Sequence, residues 1–462
     1  MGSDFIRPNQ THKDIIKIIA RGDNSYGNVT HLLRKLNYVK VFIGNFQSFA
    51  VDIDNTMYSW GLNDYYQLGN QKNENYLFDK RDYDDNKEVN YNFRDTFSVI
   101  YTEKKGYANF ISLNNNDLST PFNPKNITKI SCGDGYTIFL TDTGSLYSVG
   151  RNDKGQLGFE VPNTEASLVS GVKCKSSISP LSYFQINKIH ITDIICGSDF
   201  SYAKDTNFTF YSWGNNKNSQ LGRDNKIIYQ FEPMPAEYIN NLQKQTSKIV
   251  SLCCGWMHAC CLTEKGEVYY WGNPLIDYDK NFSDIKTPQK ISQEHKIKQI
   301  SSGFHHIAMI TEKNELLTLG LNDFGQLGYE TEPIYTIEAK KVNFPEKSNE
   351  ENKVIKVVCG AFHTICQLQK NIFGFGQNDN KQIGDYDAEF ITWPVKWNYS
   401  LEDEEDNQNA NAYEELSKED KNDNKVLYDI QCGNGYTVLI YKDKDSISNE
   451  DLAIQIKNDI NI

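Results

Sequence analysis

Long apolar runs are absent from this sequence of 462 residues, in which the longest apolar stretches have only the length of strands. The first ten residues, MGSDFIRPNQ, contain no apolar signal core, and Ile6 stands where a myristoylation motif requires serine or threonine. We therefore expect a protein without a membrane anchor in the cytoplasm, with a nuclear or a cytoskeletal or ciliary location as alternatives.

Clustered positive charge is also scarce. The chain has 48 Lys and Arg against 61 Asp and Glu, a formal net charge of −13, and its basic runs are pairs such as Lys104-Lys105. Because contacts to phosphate need clustered Lys and Arg, this composition argues against direct binding of nucleic acid.

Motifs of catalysis and metal binding are missing as well. The sequence contains no GxxxxGK[ST] phosphate loop, no HExxH and no GxSxG nucleophile elbow. Among the ten cysteines, the doublets Cys253-Cys254 and Cys260-Cys261 lack CxxC spacing. We expect no catalytic residue, no metal and no cofactor; if the protein has an activity, we expect nucleotide exchange rather than bond-making chemistry.

What the sequence has is a repeated window. YSWGLNDYYQLGN at Tyr58 recurs as YSVGRNDKGQLGF, YSWGNNKNSQLGR, LTLGLNDFGQLGY and, more weakly, FGFGQNDNKQIGD, always with eight positions from the first Gly to the last. A structural unit that stacks on its copies must recur, whereas a catalytic constellation rarely does. We therefore expect the repeated glutamines to satisfy backbone groups of their loops: Gln67, Gln156, Gln220, Gln326 and Gln382.

A second glycine lies 17 residues before the first Gly of each window, or 16 residues before it in the sixth copy, whose window begins at Phe373. These hairpin glycines are Gly44, Gly133, Gly197, Gly255, Gly303 and Gly360, with a seventh at Gly433. Two apolar strands follow each one, separated by a residue type that accepts positive φ: Asn55, Gly144, Asn207, Gly266, Asn314 and Asn371. The pattern predicts a β-hairpin in every copy.

The last copy lacks its window, and the missing half stands at the other end of the chain. IIARGDNSYGNV, residues 18–29, matches the window, so that residues 1–30 would complete the last unit. We predict an all-β fold, a seven-bladed β-propeller closed by pairing of the N-terminal and C-terminal segments in one blade. Residues 1–441 would form this single domain, with insertions at 70–126 and 398–425 and a tail at 442–462.

The windows, each with its hairpin glycine upstream, resemble the repeat of the regulator of chromosome condensation family over nearly the whole chain. The fourth copy departs from the pattern, because Trp271-Gly272-Asn273 is followed by PLIDYDKNF. The resemblance implies a propeller that binds partners on the face formed by the turns near its central channel. It also implies that His258, His306 and His363, which share one repeat position, are structural.

Function should lie where the repeats differ, which is in the two residues after each hairpin glycine. The partner-binding residues that we predict are Trp256, Met257, Phe304, His305, Phe362, Asp134 and Asp199. Large apolar side chains on consecutive blades would form one arc, and aromatic anchors dominate interface energies. The alternative is that these side chains turn inward and plug the central channel.

Three functions agree with these features. The first is a non-catalytic protein-interaction propeller, a scaffold or adaptor. The second is guanine-nucleotide exchange on a small GTPase of the Ran type, for which the resemblance implies roles of Asp134 and His305, although no wedge-like insertion and no basic tail are present. The third is a structural subunit of a larger cytoskeletal or ciliary assembly.

Overall fold

Seven antiparallel sheets make up the molecule in a computed structural model. It describes residues 16–22, 38–53, 55, 57–69, 98–101, 122–224, 226–273, 284–291, 294–329, 334–345, 353–369, 371–397 and 425–443. Most of the two predicted insertions, nearly all of the predicted tail and the divergent fourth window at 274–282 lie outside these residues.

The first three blades take up the N-terminal half of the described chain. Blade one consists of β2 (Tyr38–Ile43), β3 (Gln47–Asp52), β4 (Met57–Gly61) and β5 (Ser98–Tyr101). Blade two consists of β6 (Ile127–Cys132), β7 (Tyr136–Thr141), β8 (Leu146–Arg151), β9 (Ser167–Val169) and β10 (Val172–Pro180). Blade three consists of β11 (Ile191–Cys196), β12 (Phe200–Asp205), β13 (Phe210–Asn215) and β14 (Tyr229–Pro235).

The next three blades repeat the same four-stranded order. Blade four consists of β15 (Ile249–Cys254), β16 (His258–Thr263), β17 (Val268–Gly272) and β18 (Ile285–Lys290). Blade five consists of β19 (Ile297–Ser302), β20 (His306–Thr311), β21 (Leu316–Leu321) and β22 (Tyr335–Lys341). Blade six consists of β23 (Val354–Cys359), β24 (His363–Leu368), β25 (Ile372–Gln377) and β26 (Phe390–Lys396).

Both ends of the chain contribute to blade seven. It contains β27 (Lys425–Cys432), β28 (Tyr436–Asp443) and β1 (Lys17–Gly22), with β28 in the middle. β1 runs antiparallel to β28, from Lys17 opposite Tyr441 to Gly22 opposite Tyr436. Ile18 is buried in a cluster with residues of blades seven and one, so that this strand joins the core.

The blades form a ring around one axis. The first strand of each blade contacts the first strand of the next, in the cycle β2, β6, β11, β15, β19, β23, β27 and back to β2. The second strands are almost wholly buried, whereas the fourth strands β14, β18, β22 and β26 are largely exposed, which places them at the rim. The prediction of an all-β, seven-bladed propeller is confirmed.

Within the described residues two short α-helices lie between blades: α1 (Ser182–Ile186) after blade two and α2 (Glu237–Gln245) after blade three. Apolar residues of both helices, Phe184 and Ile239 among them, are buried against the neighbouring strands. Neither helix is long and apolar enough to span a membrane, nor is any other helix in the described part of the chain.

Four of the six hairpin residues that the sequence predicts to have positive φ adopt it. Asn55, Gly144, Gly266 and Asn314 all adopt positive φ. In blade three the residue with positive φ is Phe208 (φ 63°) and not the predicted Asn207. Phe208 lies eleven residues after its hairpin glycine, as in those four blades, so the spacing of the repeat overrides the local preference for asparagine.

The repeated windows form one loop whose polar side chains bind its own backbone. In blade two, Leu157 N donates to Asn152 Oδ1 (3.0 Å) and Lys154 N donates to Gln156 Oε1 (2.8 Å). The same two bonds recur in blades one, three, five and six. The prediction that the repeated glutamines satisfy loop backbone groups is confirmed.

Candidate partner-binding face

Seven tight turns at one end of the propeller define the turn face: 44–47, 133–136, 197–200, 255–258, 303–306, 360–363 and 433–436. In each turn the hairpin glycine N–H donates to the carbonyl of the residue three positions later, at 2.8–3.0 Å. The carbonyl of the third residue of the turn accepts a hydrogen bond from an N–H at the start of the window loop, as His305 O does from Leu321 N (2.9 Å). Turn and window therefore lie at the same end of each blade.

The hairpin glycine is required by a close approach of atoms. A Cβ at Gly303 would lie 2.1 Å from Cε1 of His306 and 2.5 Å from the carbonyl oxygen of Gly360 in the next blade. Equivalent contacts occur at Gly255 and Gly433. Any larger residue would push the turn away from its own blade and from its neighbour.

The side chain three residues after each hairpin glycine links its blade to the next, and we call this position the staple. His258 Nε2 is 2.7 Å from Ser302 Oγ, His306 Nε2 is 3.0 Å from Thr364 Oγ1, and His363 Nε2 is 3.1 Å from Thr437 Oγ1. These bonds agree with the expectation that the three histidines are structural.

Other residue types make the same link in three of the remaining four blades. Gln47 Nε2 donates to Gly133 O (3.2 Å), the Tyr136 hydroxyl donates to Phe200 O (2.6 Å), and the Tyr436 hydroxyl donates to Gly44 O (2.9 Å). Blade three lacks this hydrogen bond, because its staple is the apolar Phe200. The position in blade four that would supply a partner, directly after the staple His258, is also apolar and holds Ala259. The last link, from Tyr436 to Gly44, joins blade seven to blade one.

Backbone hydrogen bonds also join the turns to each other. Trp256 N donates to Phe304 O (3.2 Å), Phe304 N to Ala361 O (3.0 Å) and Ala361 N to Asn434 O (3.1 Å). Because main-chain atoms make these bonds, the side chains at the same positions remain free to vary. The turn face is thus a rigid frame with variable side chains.

The predicted aromatic residues of blades four to six come together on this frame. Ring centroids lie 5.4 Å apart between Trp256 and Phe304, 5.3 Å between Trp256 and His305, and 5.4 Å between Phe304 and Phe362. Trp256, Met257, Phe304 and Phe362 are half-buried, and His305 is buried. We call these five residues the aromatic sector.

Two aromatic residues that the sequence analysis missed extend the sector outward. Phe324, in the window of blade five, lies 4.9 Å from Phe362 and 5.7 Å from Phe390, the first residue of β26. A signal existed for Phe324, because it occupies a variable position of the window. Its proximity to Phe390 depends on how blade five packs against blade six, which the repeat spacing does not reveal.

The predicted acidic residues lie on blades two and three and are paired with basic ones. Arg151 Nη1 is 3.3 Å from Asp199 and 3.6 Å from Asp134, and Lys154 Nζ also contacts Asp199. Asp199 is buried, whereas 42% of the Asp134 side chain is exposed. Burial and the neighbouring Asp199 raise the pKa of Asp134. Of these two residues, only Asp134 has a substantially exposed carboxylate.

The histidines of the turn face are neutral at physiological pH. Burial lowers the pKa of His258 and His306 to about 3 and that of His305 and His363 to about 4. A neutral imidazole adds no positive charge to the face. His305 therefore acts in the aromatic sector as a flat, weakly polar ring.

In the described residues no three His, Cys, Asp or Glu side chains are placed to hold a metal ion. Cys253 and Cys260, which lie opposite each other on β15 and β16, are free thiols. Burial raises the pKa of the Cys253 thiol. These cysteines are core residues.

The geometry defines a seven-bladed repeat propeller, and comparison with known proteins identifies the repeat. The family model of the regulator of chromosome condensation (RCC1) repeat matches residues 54–78, 143–203, 209–262 and 313–367, and a second model of that repeat matches residues 127–156. The chain is therefore a propeller of the regulator of chromosome condensation repeat family.

Relatives with sequence similarity have varied names. The chain is 28% identical over 283 residues to the ultraviolet-B receptor UVR8 of Arabidopsis thaliana, covering 59% of each chain. It is 25% identical over 383 residues to protein pim1 of Schizosaccharomyces pombe, covering 76% of this chain and 61% of pim1. It is 27% identical to the secretion-regulating guanine nucleotide exchange factor of Bos taurus, covering 56% of this chain and 53% of that protein. The chain thus spans about three fifths or less of these relatives.

Solved structures share the fold over most of the chain. The crystal structure of Prp20p from Saccharomyces cerevisiae superposes with a TM-score of 0.64 at 15% identity, covering 97% of this chain and 96% of that one. The crystal structure of human WBSCR16 superposes with a TM-score of 0.61 at 17% identity, covering 87% and 86% of the two chains. At such identities the likeness concerns the fold alone.

The buried histidine staples predict a loss of stability in acid. His306 has a pKa of about 3 in the folded protein, below the value of about 6.5 for an unfolded chain. As the pH falls, the unfolded state therefore binds a proton at this histidine before the folded state does. The contribution of His306 to the free energy of unfolding is fully present above pH ~6.5 and is lost as the pH falls toward 3. His306→Gln, which copies Gln47 of blade one, should reduce the loss of unfolding free energy between pH 7 and pH 5 by about 2 kcal/mol.

Urea unfolding at the two pH values measures this difference. His295→Gln, at a partly exposed histidine outside the turn face, is the matched control. An unchanged pH dependence of stability in His306→Gln would contradict the neutral, buried staple.

Proposed function

We propose that this chain is a non-catalytic protein-interaction propeller, a scaffold or adaptor that binds a protein partner on its turn face. The observation that carries the proposal is the aromatic sector of blades four to six, in which large half-buried rings lie side by side. Contiguous apolar side chains at a protein surface commonly mark interaction sites, and Trp and Phe anchors contribute much of the binding energy.

The frame beneath the sector supports this role. Backbone hydrogen bonds from Trp256 N to Phe304 O and from Phe304 N to Ala361 O hold the turns in fixed positions. The staples His258 and His306 hold the same turns from below, through bonds to Ser302 and Thr364. A surface that is already ordered loses little conformational entropy on binding, so more of the contact energy appears as affinity.

Asp134 extends the proposed surface toward blade two. Its exposed carboxylate can accept hydrogen bonds from a partner, while Arg151 holds it in place at 3.6 Å. Asp199 serves the same surface indirectly, because its ion pairs with Arg151 and Lys154 position those two basic side chains.

Guanine-nucleotide exchange on a small GTPase of the Ran type is a second candidate. The bovine relative that is named as a guanine nucleotide exchange factor favours it, as do the positions of Asp134 and His305 in their turns. A GTPase would then be the protein partner, and the turn face its binding surface.

Substitution of one aromatic residue of the sector should distinguish an interaction surface from a structural plug of the central channel. We expect Trp256→Ala or Phe304→Ala to weaken binding of the partner by about 2 kcal/mol or more, because each ring is half-buried and gains contacts in a complex. The unfolding free energy should change much less. The partner is first identified by affinity capture and mass spectrometry, and the variants are then measured by calorimetry with the purified partner.

Phe208→Ala is the control, since this ring lies at a hairpin outside the turn face. Loss of stability with intact binding in the Trp256 and Phe304 variants would show that the sector is a plug of the propeller and not a binding site.

The exchange candidate makes a separate prediction. Purified protein at micromolar concentration should accelerate release of a fluorescent guanine nucleotide from a Ran-type GTPase. Asp134→Ala and His305→Ala should slow that release, because both residues belong to the proposed contact surface. Stopped-flow fluorescence measures the rate, and a rate equal to spontaneous release would eliminate exchange on this GTPase while leaving the interaction proposal intact.

A further inference from the structure

The aromatic sector continues to the rim of the propeller through two side chains. Phe324 contacts Phe362 on one side and Phe390 on the other, with centroid distances of 4.9 and 5.7 Å. The rings from Trp256 through Phe304, Phe362 and Phe324 to Phe390 thus form one continuous track. Phe390 is 49% exposed at the outer end of this track.

Packing between blades five and six fixes the outer end of the track. The Phe324 N–H donates to Gln326 Oε1 (2.9 Å), which orders the loop. The next residue, Gly325, lies so close to β26 that a Cβ there would be 2.7 Å from Thr392 Cα. Phe324 and Phe390 are therefore held next to each other by backbone contacts in both blades.

The two loops that carry Phe324 and Phe390 at the outer end are rich in acidic residues. The loops 321–325 and 377–390 contain one basic residue, Lys381, and five exposed acidic residues: Asp323, Asp379, Asp385, Asp387 and Glu389. Lys381 is already 3.5 Å from both Asp385 and Asp387. The two loops that carry Phe324 and Phe390 therefore have an excess of negative charge, and Asp323 and Glu389 directly precede these two aromatic residues in the chain.

We propose that this track binds an extended segment of a partner protein in which apolar side chains are followed by lysine or arginine. Apolar side chains would lie on the rings of Phe304, Phe362 and Phe324, and the basic side chains would reach the carboxylates around Phe390. The proposal rests on the proposed function of the turn face and names the chemistry of the partner.

Two physical arguments select this occupant. An extended chain advances by about 3.3 Å per residue, so a segment of roughly six residues covers the four ring-to-ring steps of the track. The positive charge of lysine and arginine is attracted both by the carboxylates at the outer end and by the faces of exposed aromatic rings. An acidic segment would be repelled by the same carboxylates, and a wholly apolar one would gain nothing from their charge.

A synthetic peptide tests the proposal directly. The probe is a fluorescein-labelled octapeptide with four central apolar residues, two phenylalanines and two leucines, flanked by two lysines on each side. A matched peptide has glutamates in place of the lysines. Fluorescence anisotropy with the full chain should show binding of the lysine peptide at least about tenfold tighter than of the glutamate peptide, with the difference shrinking as salt is added.

Variants locate the binding on the track. Phe390→Ala should weaken the lysine peptide about tenfold, since it removes the outer ring. Tyr335→Ala is the matched control, because Tyr335 is the exposed first residue of β22, as Phe390 is of β26. This variant should bind the lysine peptide as tightly as the unchanged protein does. The pair Asp387→Lys and Glu389→Lys should abolish the preference for the lysine peptide.

Equal affinity for the two peptides, or no effect of Phe390→Ala, would overturn the proposal. Analytical ultracentrifugation that shows self-association of the chain, together with its loss in Phe390→Ala, would overturn the proposal as well, because a second copy of the chain would then occupy the track. Failure of this proposal can be told apart from failure of the proposed function. If Trp256→Ala weakens binding of the captured partner while neither peptide binds, the turn face is still a binding surface and only the chemistry assigned to its partner is wrong.

Discussion

The propeller depends on one contact that recurs around the ring, the staple between neighbouring blades. In six of the seven described turns the side chain three residues after the hairpin glycine hydrogen-bonds to the next blade. The turn requires glycine, because an added Cβ would overlap the staple ring in six blades and the Cys132 side chain of blade two at Gly44. Glycine, staple and the neighbouring turn are therefore one unit, repeated seven times.

This unit explains why the remaining turn residues are free to differ. The two residues between the hairpin glycine and the staple use their main chain for the frame, as Phe304 does through its N–H and carbonyl. Their side chains point to no repeated partner, so blade two can carry Asp134 where blade four carries Trp256. Variation on a rigid frame is the arrangement that suits a binding surface.

Much of the fold could be predicted from the sequence, because the constant spacing of glycines reveals the repeated structural unit. The distances between glycines predicted seven blades, and the shared position of His258, His306 and His363 indicated a structural role. Phe208 shows the limit of local propensity, since the position in the repeat and not the residue type determines the turn. Contacts between blades were out of reach: the pairing of Arg151 with Asp199 and the meeting of Phe324 with Phe390 join residues 48 and 66 positions apart that have no periodic relation.

The central claim is that the staples hold the turn face and that the aromatic sector does not. Giving the blade-four turn the first variable residue of the blade-two turn, Trp256→Asp, tests it in one comparison of unfolding free energy with His258→Ala. The account predicts that Trp256→Asp stays within about 0.5 kcal/mol of the original protein, as surface substitutions usually do. His258→Ala should lose about 2 kcal/mol or more, because it removes a buried ring together with the hydrogen bond of that ring to Ser302 in the next blade. A loss in Trp256→Asp as large as that of His258→Ala would contradict the account, since the aromatic side chains would then be structural.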